Sequence, residues 1–153
     1  MMAALVPICL WQRYRAVRQV KAVSVRFLTA ASEFDLMGLR GCLTEQGRAS
    51  MPVLYTRIAD SKLRELNRNV RVDTRLRVID VKIGAGEAWV RVKRQVTERG
   101  KRLGKPVHTN IRDECTVVCV FDGERWLVDL DRTLASKNPP LAGIGLLKEC
   151  RIK

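Results

Sequence analysis

The chain has 153 residues, 46% hydrophobic and 29% charged, values that suit one globular domain with its own core and exclude a disordered or low-complexity protein. Against 16 Asp and Glu stand 29 Lys and Arg, a formal charge of +13, so the surface attracts polyanions and anionic membranes. The five cysteines, Cys9, Cys42, Cys115, Cys119 and Cys150, are odd in number and contain no C-x-x-C pair, which argues against a disulfide framework or a zinc site and leans toward a reducing compartment.

The apolar opening "MMAALVPICLW" is too short to span a bilayer, which takes about 20 residues. Its basic residues, Arg13, Arg15, Arg18 and Lys21, follow the apolar run rather than precede it, unlike a secretory signal. The favoured reading is a cytoplasm-facing apolar lead or a truncated membrane anchor. An acid-free, Arg-bearing start is also how mitochondrial presequences look, and that is the alternative.

From Ala16 onward Val17, Val20, Ser24, Phe27, Leu28 and Ala31 recur at three- and four-residue steps, which predicts a helix with one buried face and Arg18, Lys21 and Arg26 off it. Asp35 is placed to cap a second short helix carrying Leu36, Leu39 and Leu43, with "EQGR" at 45–48 as its breaker. Ser50 and Pro52 read as the start of a third helix with Leu54, Tyr55, Ile58, Ala59, Leu63 and Leu66 on its buried side.

The period then changes to two. Val70, Val72, Thr74, Leu76 and Val78 alternate with charged residues, and beyond Val78 the apolar positions shift to Ile79, Val81 and Ile83, the mark of a β-bulge. "GAG" at 84–86 turns the chain into a strand carrying Ala88, Val90, Val92 and Val96. "ERGKRLGKP" at 98–106 reads as a basic loop before a long strand around 108–121, and Asp122-Gly123 turn it into "RWLVDL". Cys115 and Cys119 sit on that long strand with Cα atoms roughly 13 Å apart, beyond bridging distance, and are expected in the core. The organisation expected is a lead over 1–15, one α+β domain over 16–133 and an irregular basic tail over 134–153.

The segment "VRFLTAASEFDLMGLRGCLTEQGR" resembles the first two helices of the nuclear-transport-factor-like superfamily, also called cystatin-like or SnoaL-like, and "FDGERWLVDLD" is similar to its last hairpin. The resemblance covers roughly residues 16–132. The runs "LTEQGRASMPVLYTRI" and "VRVDTRLRVIDVKIGAGEAWVRVKRQVTERG" look most like the non-enzymatic branch of the mitochondrial import-motor tether and its ribosomal-protein relative, an architecture shared with conjugation and secretion assembly factors. This implies an α+β cone: three N-terminal helices packed on a curved antiparallel sheet, with Trp126 against the helices.

The enzymatic members supply a test of chemistry. An isomerase of this superfamily carries a tyrosine where this chain has Phe27, which lacks a hydroxyl, and "RASMPVL" at 48–54 offers no general-base carboxylate. A dehydratase wants histidines in the cone, and the sole histidine, His108, adjoins the basic loop and reads as a solvated strand residue. "GAG" and "RLGKP" lack the spacing of nucleotide-binding loops. No catalytic residue, cofactor or metal is expected.

Two constellations remain. Arg94 and Asp113 each interrupt an apolar strand face, either as a buried pair lining a ligand cup or as solvated groups at the sheet rim; the rim is favoured because unpaired buried charges are expensive. Arg71, Arg75 and Arg77 share the polar side of one strand, and Trp89, Arg91 and Lys93 the polar side of the next, so a hairpin makes them a basic stripe. The function expected is a tethering or scaffold module near a membrane or large anionic assembly, with a small apolar-ligand carrier or an isomerase or lyase as alternatives. Its partner would be an acidic protein surface, an anionic membrane or a nucleic acid, and a homodimer through the sheet face is a further option.

Overall fold

The computed structural model describes residues 5–33, 35–50 and 68–137. Helix α1 (Leu5–Glu33) carries its apolar stripe inward: Val20, Ser24, Phe27 and Leu28 are buried, Val17 and Ala31 half-buried, and Arg18, Lys21 and Arg26 exposed. The helix begins at Leu5, so residues 5–15 continue without a break into the core-facing part.

Asp35 caps helix α2 (Leu36–Cys42) as its spacing predicts, its carboxylate accepting the Gly38 N–H at 3.0 Å. Leu36, Leu39 and Cys42 are buried beneath it. "EQGR" does not break the chain but opens helix α3 (Glu45–Ser50). Thr44 supplies the cap, accepting the Gly47 N–H at 3.0 Å, while its own N–H donates to the Val128 carbonyl. Gly47, which looks like a stop signal, is buried, and a Cβ there would stand 3.3 Å from the Leu130 Cβ. The helix expected from Ser50 through Leu66 lies outside the described residues.

Strands β1 (Val70–Ile83), β2 (Glu87–Arg102), β3 (Lys105–Phe121) and β4 (Trp126–Val128) form one antiparallel sheet in sequence order. The predicted bulge is present: Val78 pairs with Val92 and Asp80 with Arg91, skipping Ile79. Ile79 is 42% exposed rather than part of the shifted apolar set; Val81 and Ile83 pack on the core.

"ERGKRLGKP" is not a loop. The β2–β3 ladder runs out to Arg102 and Lys105, and only Leu103 and Gly104 turn, both at positive φ (52° and 76°). Gly100, at φ 138°, lets the Asn69 carbonyl approach to accept the Lys101 N–H at 2.9 Å; a Cβ there would lie 1.9 Å from that oxygen.

One sheet face packs on α1 and α2. Val90, Val92, Cys115, Val117, Cys119 and Val128 meet Val20, Phe27, Leu28 and Leu39 there, joined by Trp126 at 8% exposure. Helix α4 (Leu130–Leu134), capped by Asp129, follows β4 directly. Its buried Thr133 hydroxyl accepts the Val118 N–H at 3.0 Å, standing in for a ladder partner where β4 ends. The architecture is α+β, helices against a curved, open antiparallel sheet.

Candidate functional site

Strand pairing sorts the polar residues into rows across the face that points away from α1. Arg71, Arg99 and His108 are neighbours on β1, β2 and β3; Arg75, Gln95 and Arg112 form another row; Arg77, Lys93 and Glu114 the next. Arg91 follows between Asp80 and Thr116, and Trp89 between Lys82 and Val118. A shallow concavity of about 500 Å³ opens over the far end, lined by Arg71, Arg75, Arg99, His108 and the polar side chains between them. The stripe read from the sequence is therefore one face, extended by Arg99, His108 and Arg112. A loop over 98–106 hides Arg99 in the sequence; the period-two alternation of β3 carries the signal for the other two.

Not all of these cations are free. Arg91 donates from Nε to Glu114 Oε1 at 3.0 Å, which raises the guanidinium pKa further. At the near end Arg132 of α4 donates to Glu87 at 2.8 Å, which holds that carboxyl below its ordinary range, and its guanidinium lies 5.7 Å from the Trp89 ring centroid. Trp89 is thus a packing partner of Arg132 as well as an exposed ring. Arg77 and Lys93 stand directly opposite one another, a pairing of like charges, with Glu114 on the other side of Lys93, Asp73 3.9 Å from Arg75 and Arg112 one row away.

The other face holds the second constellation. Arg94 Nε donates to Asp113 Oδ1 at 2.9 Å and a terminal nitrogen donates to Oδ2, a bidentate pair. The Arg94 side chain is fully enclosed and that of Asp113 is 28% exposed. The rim position favoured from sequence fails for Arg94 because the ladder sets it directly opposite a carboxylate, so the charge enters the interior already compensated. Next along, burial pushes the Cys115 thiol up to about 11, with the Arg94 charge opposing. Thr74 Oγ1 and Ser32 Oγ are also buried, without a hydrogen-bond partner among the described residues.

No protein-family model matches the sequence, and no curated protein matches it. Among solved structures, the crystal structure of a proposed dehydratase of the NTF2-like family from Streptomyces avermitilis superposes with a TM-score of 0.51, covering 74% of this chain and 92% of that one at 13% identity. The chain has the NTF2-like fold. At that identity the likeness extends to the fold alone. Within the NTF2-like cone the Arg94–Asp113 pair is an interior feature and the cation rows are an exterior one. His108, the one histidine of the sequence, lies on the exterior and is exposed, while Phe27 is 2% exposed among core side chains.

Proposed function

We propose that this chain is a non-catalytic assembly module that docks the outer face of its sheet on an anionic partner, as the resemblance to the import-motor tether and secretion assembly branch implies. One observation carries the reading: the ladder aligns Arg71 with Arg99, Arg75 with Arg112 across Gln95, and Arg77 with Lys93, so cations of three strands converge on a solvent-facing surface. Like charges held side by side on one face attract an anion laid across them. Most of the cations are arginines, whose planar forks take carboxylate or phosphate oxygens in pairs.

The test replaces Arg75, Arg77, Lys93 and Arg112 together by Gln and titrates parent and variant against duplex nucleic acid and polyglutamate over a range of salt. The parent should bind at least one of them with a steep salt dependence that the variant loses, while folding changes by less than about 0.5 kcal/mol per site. Equal binding by both chains, or none by the parent, overturns the reading. Which probe binds tells nucleic acid from an acidic protein surface.

A second reading, a ligand carrier or lyase working inside the cone, draws on the enclosed Arg94 with its partly exposed partner Asp113, the buried Thr74 hydroxyl without a partner among the described residues and the likeness to the proposed dehydratase. A small molecule retained by the purified parent and lost on Asp113→Asn, in native mass spectrometry, would favour it.

A further inference from the structure

Helix α1 is buried over only part of its length. Its 29 residues run roughly 43 Å at 1.5 Å per residue. Every side chain from Cys9 to Arg15 is exposed, and burial begins only at Ala16 and Val17. Leu10, Trp11 and Tyr14 are 63%, 60% and 68% exposed. At helical spacing they fall within about a third of the circumference and make one apolar-aromatic edge. Exposed Arg13, Arg15, Arg18 and Lys21 surround it, and no acidic residue precedes Glu33. The Arg15 guanidinium lies 5.6 Å from the Trp11 ring centroid, so cation and ring face the same surroundings.

What covers such an edge must take apolar rings and arginines together. A second copy would bring Arg13, Arg15 and Arg18 against their own images. A nucleic acid or an acidic protein surface would meet the arginines and leave Leu10 and Trp11 in water. The surface of an anionic bilayer satisfies both, with Trp and Tyr at headgroup level, the leucine below them and the cations on lipid phosphates and carboxylates. No described helix is long and apolar enough to cross a membrane, so the contact is peripheral. We propose that the first three turns of α1 dock this domain on an anionic membrane surface. The proposal stands on α1 and is independent of the sheet-face reading.

The full chain is sedimented with vesicles of phosphatidylcholine alone and of phosphatidylcholine with phosphatidylserine, and its tryptophan emission is followed. The parent should bind the anionic vesicles with a shift of emission to shorter wavelength, and Trp11→Phe should bind while losing most of that shift. Replacing Leu10, Trp11 and Tyr14 together by Ser should weaken binding about tenfold or more. Replacing Arg13, Arg15 and Arg18 together by Gln should weaken it roughly a hundredfold, the worth of three cations at an anionic surface. Circular dichroism and the unfolding midpoint should stay at parental values in both triples. The sheet variant with Arg75, Arg77, Lys93 and Arg112 replaced by Gln should still bind vesicles. Absence of parental binding, or binding indifferent to the Ser triple, overturns the proposal. So does its loss in the sheet variant, or a parental self-association that the Ser triple abolishes.

Discussion

Arg94 on β2 faces Asp113 on β3 directly across the ladder, and two parallel hydrogen bonds join them with the guanidinium wholly enclosed. Removing one partner of such a pair costs far more than the pair contributes, because the remaining charge stays behind in low dielectric. Asp113→Ala should therefore lower stability by about 3 kcal/mol, whereas Arg94→Met combined with Asp113→Leu should return it close to the parental value. Denaturant midpoints of the parent, single and double variants test this; a double variant as unstable as the single would show that the pair has a role beyond charge compensation.

Trp126 opens β4, meets the Phe121 ring at a tilt of 47° with 5.5 Å between centroids, and is 8% exposed within the core that faces α1. Trp126→Ala should cost about 3 to 5 kcal/mol through lost burial and the cavity left behind. Unfolding followed by circular dichroism measures it, and an unchanged midpoint would remove Trp126 from the core.

Burial raises the Cys115 and Cys119 thiols to about 11 and raises Cys42, whereas Cys9 is exposed. Alkylation near pH 8 should modify Cys9 within minutes, and Cys42, Cys115 and Cys119 only after denaturant is added, as peptide mapping by mass spectrometry would show. The same shifts set a pH dependence. The folded state holds these protons longer than the unfolded chain, whose thiols titrate near 9.0, so stability is intact below that value and falls as pH rises toward about 11.

Gly100→Ala should destabilise by about 2 kcal/mol or more, since φ 138° is strained for any L side chain and the new Cβ would collide with the Asn69 carbonyl oxygen. Gly86→Ala, at φ 74° with open space around the Cβ, carries the backbone strain without the collision and should cost less. Thermal unfolding of the two variants compares them directly; equal losses would mean that the Asn69 carbonyl yields freely.

The local rules of spacing sufficed for the buried stripe of α1 from Val17 to Ala31, the Asp35 cap, the bulge after Val78 and the hairpin into Trp126, because each is set by residues within a few positions of one another. Contacts between distant segments decided the rest. Thr44 and Val128 turn "EQGR" into a helix that looks broken in sequence, since Gly47 is needed where α3 closes on Leu130. The ladder from Gly100 to Lys105 extends a hairpin through what reads as a loop, and so places Arg99 beside Arg71 and His108. Only strand register brings Asp113 opposite Arg94, and that one alignment makes an interior position tolerable for a charge that spacing alone assigns to solvent.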